Sequence, residues 1–150
     1  MVFTVRNGKN KKVNMKYATL DASHDPVMIL HFTGEEPTEE SFDDYLNLYL
    51  NAVKQKKGRG VVMEAKKVGF VPVKYRIKQG KFLKEHEALL KKNIAGIAFV
   101  FKSVITRFMI TAVFVIKKPP FPYYLTGDLD EAVRWVQQKI KEQQSQEEVL

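Results

Sequence analysis

The sequence predicts an α/β domain, a mixed sheet of about five strands with about four helices in the order ββαβαβαβα. Three observations predict it. Short apolar runs rich in Val, Ile and Phe alternate with longer segments whose apolar residues recur every three or four positions. Residues suited to capping helices, Thr38 and Asp128, and a helix-stopping glycine, Gly58, stand at the boundaries of those longer segments. The unbroken apolar run Ile94–Phe101 fits a strand covered on both faces, as in the middle of a parallel sheet. With 150 residues, 45% hydrophobic and 28% charged, the chain suits one core. It is read as a single domain over 1–150 with flexible ends at 1–12 and 143–150.

Each element has its own justification. Val13–Asp21 and Pro26–Phe32 are partly alternating apolar runs separated by Ala22-Ser23-His24-Asp25, whose turn chemistry predicts an antiparallel hairpin. Gly34–Pro37 ends the second strand. Thr38 then caps a helix, with Glu39 and Glu40 in the first turn where the helix dipole favours anions, and Phe42, Leu46, Tyr49 and Val53 at helical spacing. Lys54, Lys56, Lys57 and Gly58 close it. Gly60–Ala65 reads as a short buried strand.

Pro72–Asn93 returns to a helical pattern, with Gly80 weakening it by about 1 kcal/mol relative to alanine. Val104–Ile116 is locally ambiguous. Its β-branched residues favour a strand, whereas its length and the possible cap Ser103 favour a helix. Two parallel strands need a crossover, which assigns the segment to helix. Tyr123–Leu125 is a short strand. Asp128 with Glu131 forms a capping box that opens a helix through Leu129, Val133, Val136 and Ile140.

Composition excludes several kinds of chemistry. With no cysteine there is no thiolate metal site, redox pair, cysteine nucleophile or disulfide framework, so a cytoplasmic location is expected. Met1–Lys12 runs from apolar to basic, the reverse of a signal peptide. The apolar stretch Ile94–Ile116 is interrupted by Gly96, Lys102, Ser103 and Arg107. It therefore reads as a buried strand followed by a second buried element, not a membrane span.

Charge is concentrated. Residues 51–92 hold 13 Lys and Arg against Glu64, Glu85 and Glu87, while the flanking regions are close to balanced or acidic. A positive face and an anionic partner follow as expectations.

The chemistry-bearing clusters reduce to structural readings. Asp21, Ser23, His24 and Asp25 contain the residue types of a hydrolytic triad, but neighbours on one turn cannot line up as nucleophile, base and orienter. His31 and His86 lack metal-ligand spacing. Glu64, in an apolar strand, is expected at an edge or paired with Lys or Arg. Gly58-Arg59-Gly60 precedes a strand, where nucleotide loops follow one. No catalytic residue, metal or cofactor is expected. Lys74, Arg76, Lys78, Lys81 and Lys84 with Tyr75 and Phe82 admit a nucleic-acid reading, against a simpler one in which the aromatics face the core.

The order of elements resembles the STAS-like, or SpoIIAA-like, domains. The divergent STAS/SEC14-like branch is the more specific match. Pro72-Val73-Lys74-Tyr75-Arg76 is similar to its Pro-x-x-Tyr-Arg stretch, and Asp130–Val136 to its Ala-x-x-Trp-like helix motif. The resemblance covers about 13–141 and implies a bacterial-type regulatory domain. STAS domains that antagonise anti-sigma factors carry a phosphorylatable hydroxyl after the third strand. Here Lys66–Val73 has none, and it looks suited to receive an anion or an apolar contact.

As a helix, Ser103–Ile116 is apolar on nearly all sides. Val104, Ile105, Phe108, Met109, Ala112 and Val115 more than cover one face, which leaves Ile110, Val113 and Phe114 needing a second cover. The expected function is a non-catalytic STAS-like regulatory or protein-interaction domain. It forms a homodimer through this helix, at Arg107, Phe108, Ile110, Val113 and Phe114, and presents Lys66, Lys67, Lys74, Arg76, Lys78, Lys81 and Lys84 to an acidic protein. The alternatives are a module binding nucleic acid or an anionic membrane surface, and a domain holding a lipid-like apolar ligand under the same helix.

Overall fold

A computed structural model describes residues 4–5, 12–14 and 16–149. In chain order the elements are strands β1 (Thr4–Val5), β2 (Lys12–Asn14), β3 (Ala18–His24) and β4 (Val27–Phe32), helix α1 (Glu39–Lys54), strand β5 (Arg59–Glu64), helices α2 (Val73–Glu85) and α3 (Glu87–Asn93), strand β6 (Ile94–Val100), helix α4 (Val104–Ile116), strand β7 (Tyr123–Thr126) and helix α5 (Leu129–Val149). The seven strands form one sheet in chain order. Neighbours from β1 to β4 are antiparallel and those from β4 to β7 parallel.

From β3 onwards this is the predicted α/β layout, with differences at two places. The Pro72–Asn93 helix is two, because His86 leaves helical geometry at φ −108°, ψ 17°. The hairpin turn lies at Asp25-Pro26, not at Ala22–Asp25. Asp21 accepts hydrogen bonds from the Ser23 amide and hydroxyl, and a register irregularity between Asp21 and His24 keeps that polar cluster within β3. Strand β1 and the first residue of β2 fall within 1–12, and α5 continues to Val149. The rest of 1–12, together with residues 15 and 150, lies outside the described residues.

Helix boundaries follow the sequence closely. The Thr38 side chain accepts from the Ser41 amide while Ser41 Oγ accepts from the Thr38 amide, a reciprocal box that satisfies two otherwise orphaned donors. Gly58 follows α1 at φ +75°, a conformation glycine adopts without steric cost. Asp128 Oδ1 accepts from the amides of Asp130 and Glu131. The box expected there is one-sided, because the Glu131 carboxylate accepts the Tyr124 hydroxyl instead.

Side chains alternate across the sheet and divide the core in two. Met28, Leu30 and Phe32, with Val61, Met63 and Ile97, meet α1, α2 and α3 on one face. Val27, Ile29, Val62, Ala98 and Val100 meet Ala132, Val136 and Ile140 of α5 on the other. That division is what one-handed crossovers between sequential parallel strands require, with the crossover helices on one face and the last helix free to cover the second. Gly60 and Gly96 are register partners beneath α5, and a Cβ at Gly60 would lie 2.8 Å from Val136 Cβ.

Candidate functional site

The features singled out in the sequence converge on the layer formed by α2, α4 and the loop 65–72 that leads into α2. Helix α4 is fixed at both ends. At its start Ser103 Oγ accepts from the Thr106 amide at 3.1 Å. The Thr106 hydroxyl, itself buried, donates to the Val68 carbonyl at 2.8 Å and so ties α4 to the loop. At its end Ile116 lies against Gly80 of α2, in the space a larger residue would fill.

This anchoring decides which face of α4 turns inward. Thr106 and Met109 are buried, and Ile110, Val113 and Phe114 are half-buried. The Phe114 ring lies 5.8 Å from that of Phe99 and 4.8 Å from that of Tyr123. Val104, Phe108 and Val115 are 84%, 59% and 88% exposed, and Ile105 is exposed too. The sequence grouped Val104, Ile105, Phe108, Met109, Ala112 and Val115 on one covered face, and the structure divides them: Val104, Ile105, Phe108 and Val115 are exposed, whereas Met109 is buried and Ala112 half-buried. The five residues assigned to self-association or ligand split accordingly: Arg107 and Phe108 face outward, whereas Ile110, Val113 and Phe114 line a pocket beneath the helix.

The outer surface of this layer is unusual for its concentration of apolar side chains. Every large hydrophobic residue exposed among the described residues lies on it: Phe70 in the loop, Val73 and Ile77 on α2, and four residues of α4. No Asp or Glu occurs in 65–84 or in 88–127, although those stretches carry Lys66, Lys67, Lys81, Lys84, Lys102, Arg107, Lys117 and Lys118 among their cations.

The basic face is smaller than its sequence suggests. Lys66, Lys67, Lys81 and Lys84 are exposed. Lys74 and Lys78, however, pair with α1, Lys74 with Glu39 at 3.2 Å and Lys78 with Glu39 at 3.0 Å and Asp43 at 2.7 Å. Hydrogen bonds from Lys78 and then Lys74 hold the Glu39 carboxyl below its ordinary range. Arg76 is half-buried, donates to the Val71 carbonyl at 3.1 Å and sits over the Phe70 ring. Tyr75 and Phe82 are buried, Tyr75 stacking on Phe42, so neither offers a ring to a nucleic-acid base. Of the family-like motif residues, Tyr75 thus anchors the core, and Trp135 stacks on Tyr124 at 5.4 Å.

Behind α4, between it, α1, α2 and the sheet, lies a cavity of about 110 Å³. Its walls include Tyr45 and Tyr49 from α1, Gln79 and Leu83 from α2, and Met109 from α4, with Met63 and Phe99 from the sheet. Burial pushes the Tyr17 hydroxyl up to about 12, and those of Tyr45 and Tyr49 higher still, so all three remain protonated donors. Tyr49 is buried and its hydroxyl has no hydrogen-bond partner among the described residues. The sequence reading missed these tyrosines as cavity residues. Their helical spacing on α1 marks them only as core.

The remaining clusters stay apart. The Ser23 hydroxyl donates to Asp21, while Asp25 pairs with Lys56 at 2.5 Å and Arg59 at 3.1 Å, pinning the hairpin tip to the start of β5. Of the two placements expected for Glu64, an edge position or a Lys or Arg partner, the second is not found among the described residues. The Glu64 carboxylate accepts from the Lys66 amide and lies 3.9 Å from His31, its register partner on β4. Among the described residues no group of three or more His, Cys, Asp or Glu is placed to hold a metal, and no helix is long and apolar enough to cross a membrane.

The fold and this layer define a mixed-sheet α/β domain with the exposed large hydrophobics of the described residues gathered on one helical layer and a cavity behind it. Comparison with protein-family models, curated proteins and solved structures finds no match.

Proposed function

We propose that the protein is a non-catalytic STAS-like regulatory or interaction domain of the cytoplasm, working through the outer face of the α2–α4 layer. What carries the reading is the gathering of all the exposed large hydrophobics of the described residues on that one layer. An apolar patch of this kind on a small domain is where another macromolecule is covered. The cations around it select against basic partners and favour acidic ones.

The same stripe of α4 serves self-association. Val104, Ile105, Phe108 and Val115 of one copy cover those of a second, with Arg107 and Lys102 at the rim. Like charges at the rim repel, and salt screens them. Light scattering across a salt series separates the two uses of the face. Self-association strengthens as salt rises, whereas binding to an acidic protein weakens. A chain that stays monomeric at every salt concentration contradicts the homodimer.

The acid-free stretches favour an anionic membrane surface as the second reading, since exposed Phe and aliphatic side chains beside Lys and Arg suit both acyl chains and headgroups. Sedimentation with anionic and with neutral vesicles decides it. Retention by neither sets this reading aside.

A further inference from the structure

The inner walls of the pocket beneath α4, such as Tyr45, Tyr49, Met63 and Ile97, are buried, whereas the wall residues that keep some exposure are mainly those of the loop, α2 and α4, among them Val71, Arg76, Gln79, Ile110 and Val113. The pocket therefore reaches the surface within the α2–α4 layer. Its volume of about 110 Å³ is of the order of the apolar cavities of about 150 Å³ that admit a benzene ring. Polar groups in its wall are taken up within the fold: the Thr106 hydroxyl donates to the Val68 carbonyl, Arg76 donates to the Val71 carbonyl, and the Tyr45 hydroxyl interacts with Gln79. The Tyr49 hydroxyl is enclosed in the core and does not reach it. What the pocket offers is mostly hydrocarbon, which selects by size and shape, so any polar selection has to come from outside its mouth. The Thr106–Val68 hydrogen bond supplies that surrounding. It holds the loop carrying Lys66 and Lys67 against the start of α4, which carries Lys102 and Arg107. All of these cations are exposed, and none has an ion-pair partner among the described residues. The acids that approach through the backbone, Glu64 at the Lys66 amide and Glu35 and Glu36 after Gly34 against Lys67, leave both ammonium groups unpaired.

We infer that the pocket is the anchor site for an acidic peptide segment of a partner protein: one Phe or Leu side chain enters it, and carboxylates flanking that anchor meet Lys66, Lys67, Lys102 and Arg107. The inference rests on the reading of the α2–α4 layer as an interaction face and says what that face grips. Protein interfaces draw most of their energy from a few large side chains that fill pockets, while complementary charge around them chooses the partner. The exposed Phe70, Ile105 and Phe108 extend the apolar contact beyond the anchor. Size favours a side chain over a lipid, because a space that admits one ring holds only a fraction of a long acyl chain. A free apolar molecule that filled the pocket would leave the cations beside it without a counterpart.

Two end-blocked peptides test it, Asp-Glu-Gly-Phe-Gly-Glu-Asp and the same peptide with Ala in place of Phe, beside a Lys-flanked Phe peptide and vesicles of phosphatidylserine. Met63 and Met109 line the pocket, so their methyl signals in methionine-labelled protein report its occupancy, and the amide signals of Lys67 and Arg107 report the cationic surroundings. The acidic Phe peptide is expected to shift methyl and amide signals together and to bind at least about tenfold more tightly than the Ala peptide, the worth of burying one ring. The Ala peptide is expected to move the amides alone, and the Lys-flanked peptide neither. Ile110→Phe, which fills the pocket, is expected to bring the Phe peptide down to the affinity of the Ala peptide, and Lys66→Glu with Lys102→Glu to weaken both. If the two acidic peptides bind alike and the methyl signals stay still, the anchor site is wrong while the interaction face stands. If neither binds at low salt, face and anchor fail together. Methyl shifts caused by the vesicles and not by the Phe peptide would make the occupant a lipid and overturn the inference.

Discussion

Gly80 of α2 lies directly against Ile116 at the end of α4, so closely that any side chain at position 80 would overlap the Ile116 Cβ and Cγ2. The contact lets two helices approach at a point where helix propensity alone argues for alanine. It also sets the roll of α4, and with it the division between the outward Phe108 and the inward Val113.

Gly80→Ala accordingly reverses the expectation from propensity. An exposed helical glycine gains about 1 kcal/mol on replacement by alanine. Here overpacking against Ile116 is expected to destabilise the fold by about 1–3 kcal/mol. Urea unfolding of the two proteins measures it, and a more stable variant would show that α4 does not sit where described.

Acid sensitivity is expected at the hairpin tip. The Asp25 carboxyl is held below its ordinary range, chiefly by the hydrogen bond from Lys56 and then by Arg59. A depressed carboxylate contributes stability that is fully present above its unfolded value, near pH 4, and lost as pH falls through the lower folded value. Asp25→Asn is therefore expected to cost about 1 kcal/mol at neutral pH, modest because the pair is partly exposed. The difference from the natural chain vanishes in strong acid. A difference that persists there points to packing, not charge.

At the alkaline end the buried tyrosines decide. Tyr17, Tyr45 and Tyr49 have folded values raised by burial above the unfolded value near 10. Groups raised in this way stabilise fully below pH of about 10, and their contribution is lost as pH climbs towards the folded values. Phenolate absorbance followed together with circular dichroism is expected to show these hydroxyls ionising only as the fold is lost. Independent ionisation of every tyrosine near the ordinary value, with the fold intact, would contradict their burial.

The sequence revealed what local chemistry encodes. Thr38, Gly58, Ser103 and Asp128 mark helix ends because capping and positive φ are decided within a few residues. The crossover argument placed α4 as a helix where periodicity alone left it open. The facing of α4 was illegible for a physical reason: a helix apolar on nearly every side has no pattern to orient it. Distant contacts with Val68 and Gly80 set it instead. The basic face was overread for a similar reason. The acids that neutralise Lys74 and Lys78 lie on α1, more than 30 residues away in the chain. The cavity was equally hidden, since tyrosines at helical spacing look the same whether they fill a core or border a space.

The outer face of α4 as the surface through which copies of the chain meet is tested most directly by cross-linking. The natural chain has no cysteine, so a single one can be placed at will. Arg107→Cys puts it on the outward side of α4, and Lys141→Cys puts an equally exposed one on α5, across the sheet. Under mild oxidation the first is expected to form disulfide-linked dimers promptly and the second slowly, with added Phe108→Glu slowing the first to the rate of the second. Equal rates for the two single-cysteine chains would contradict it.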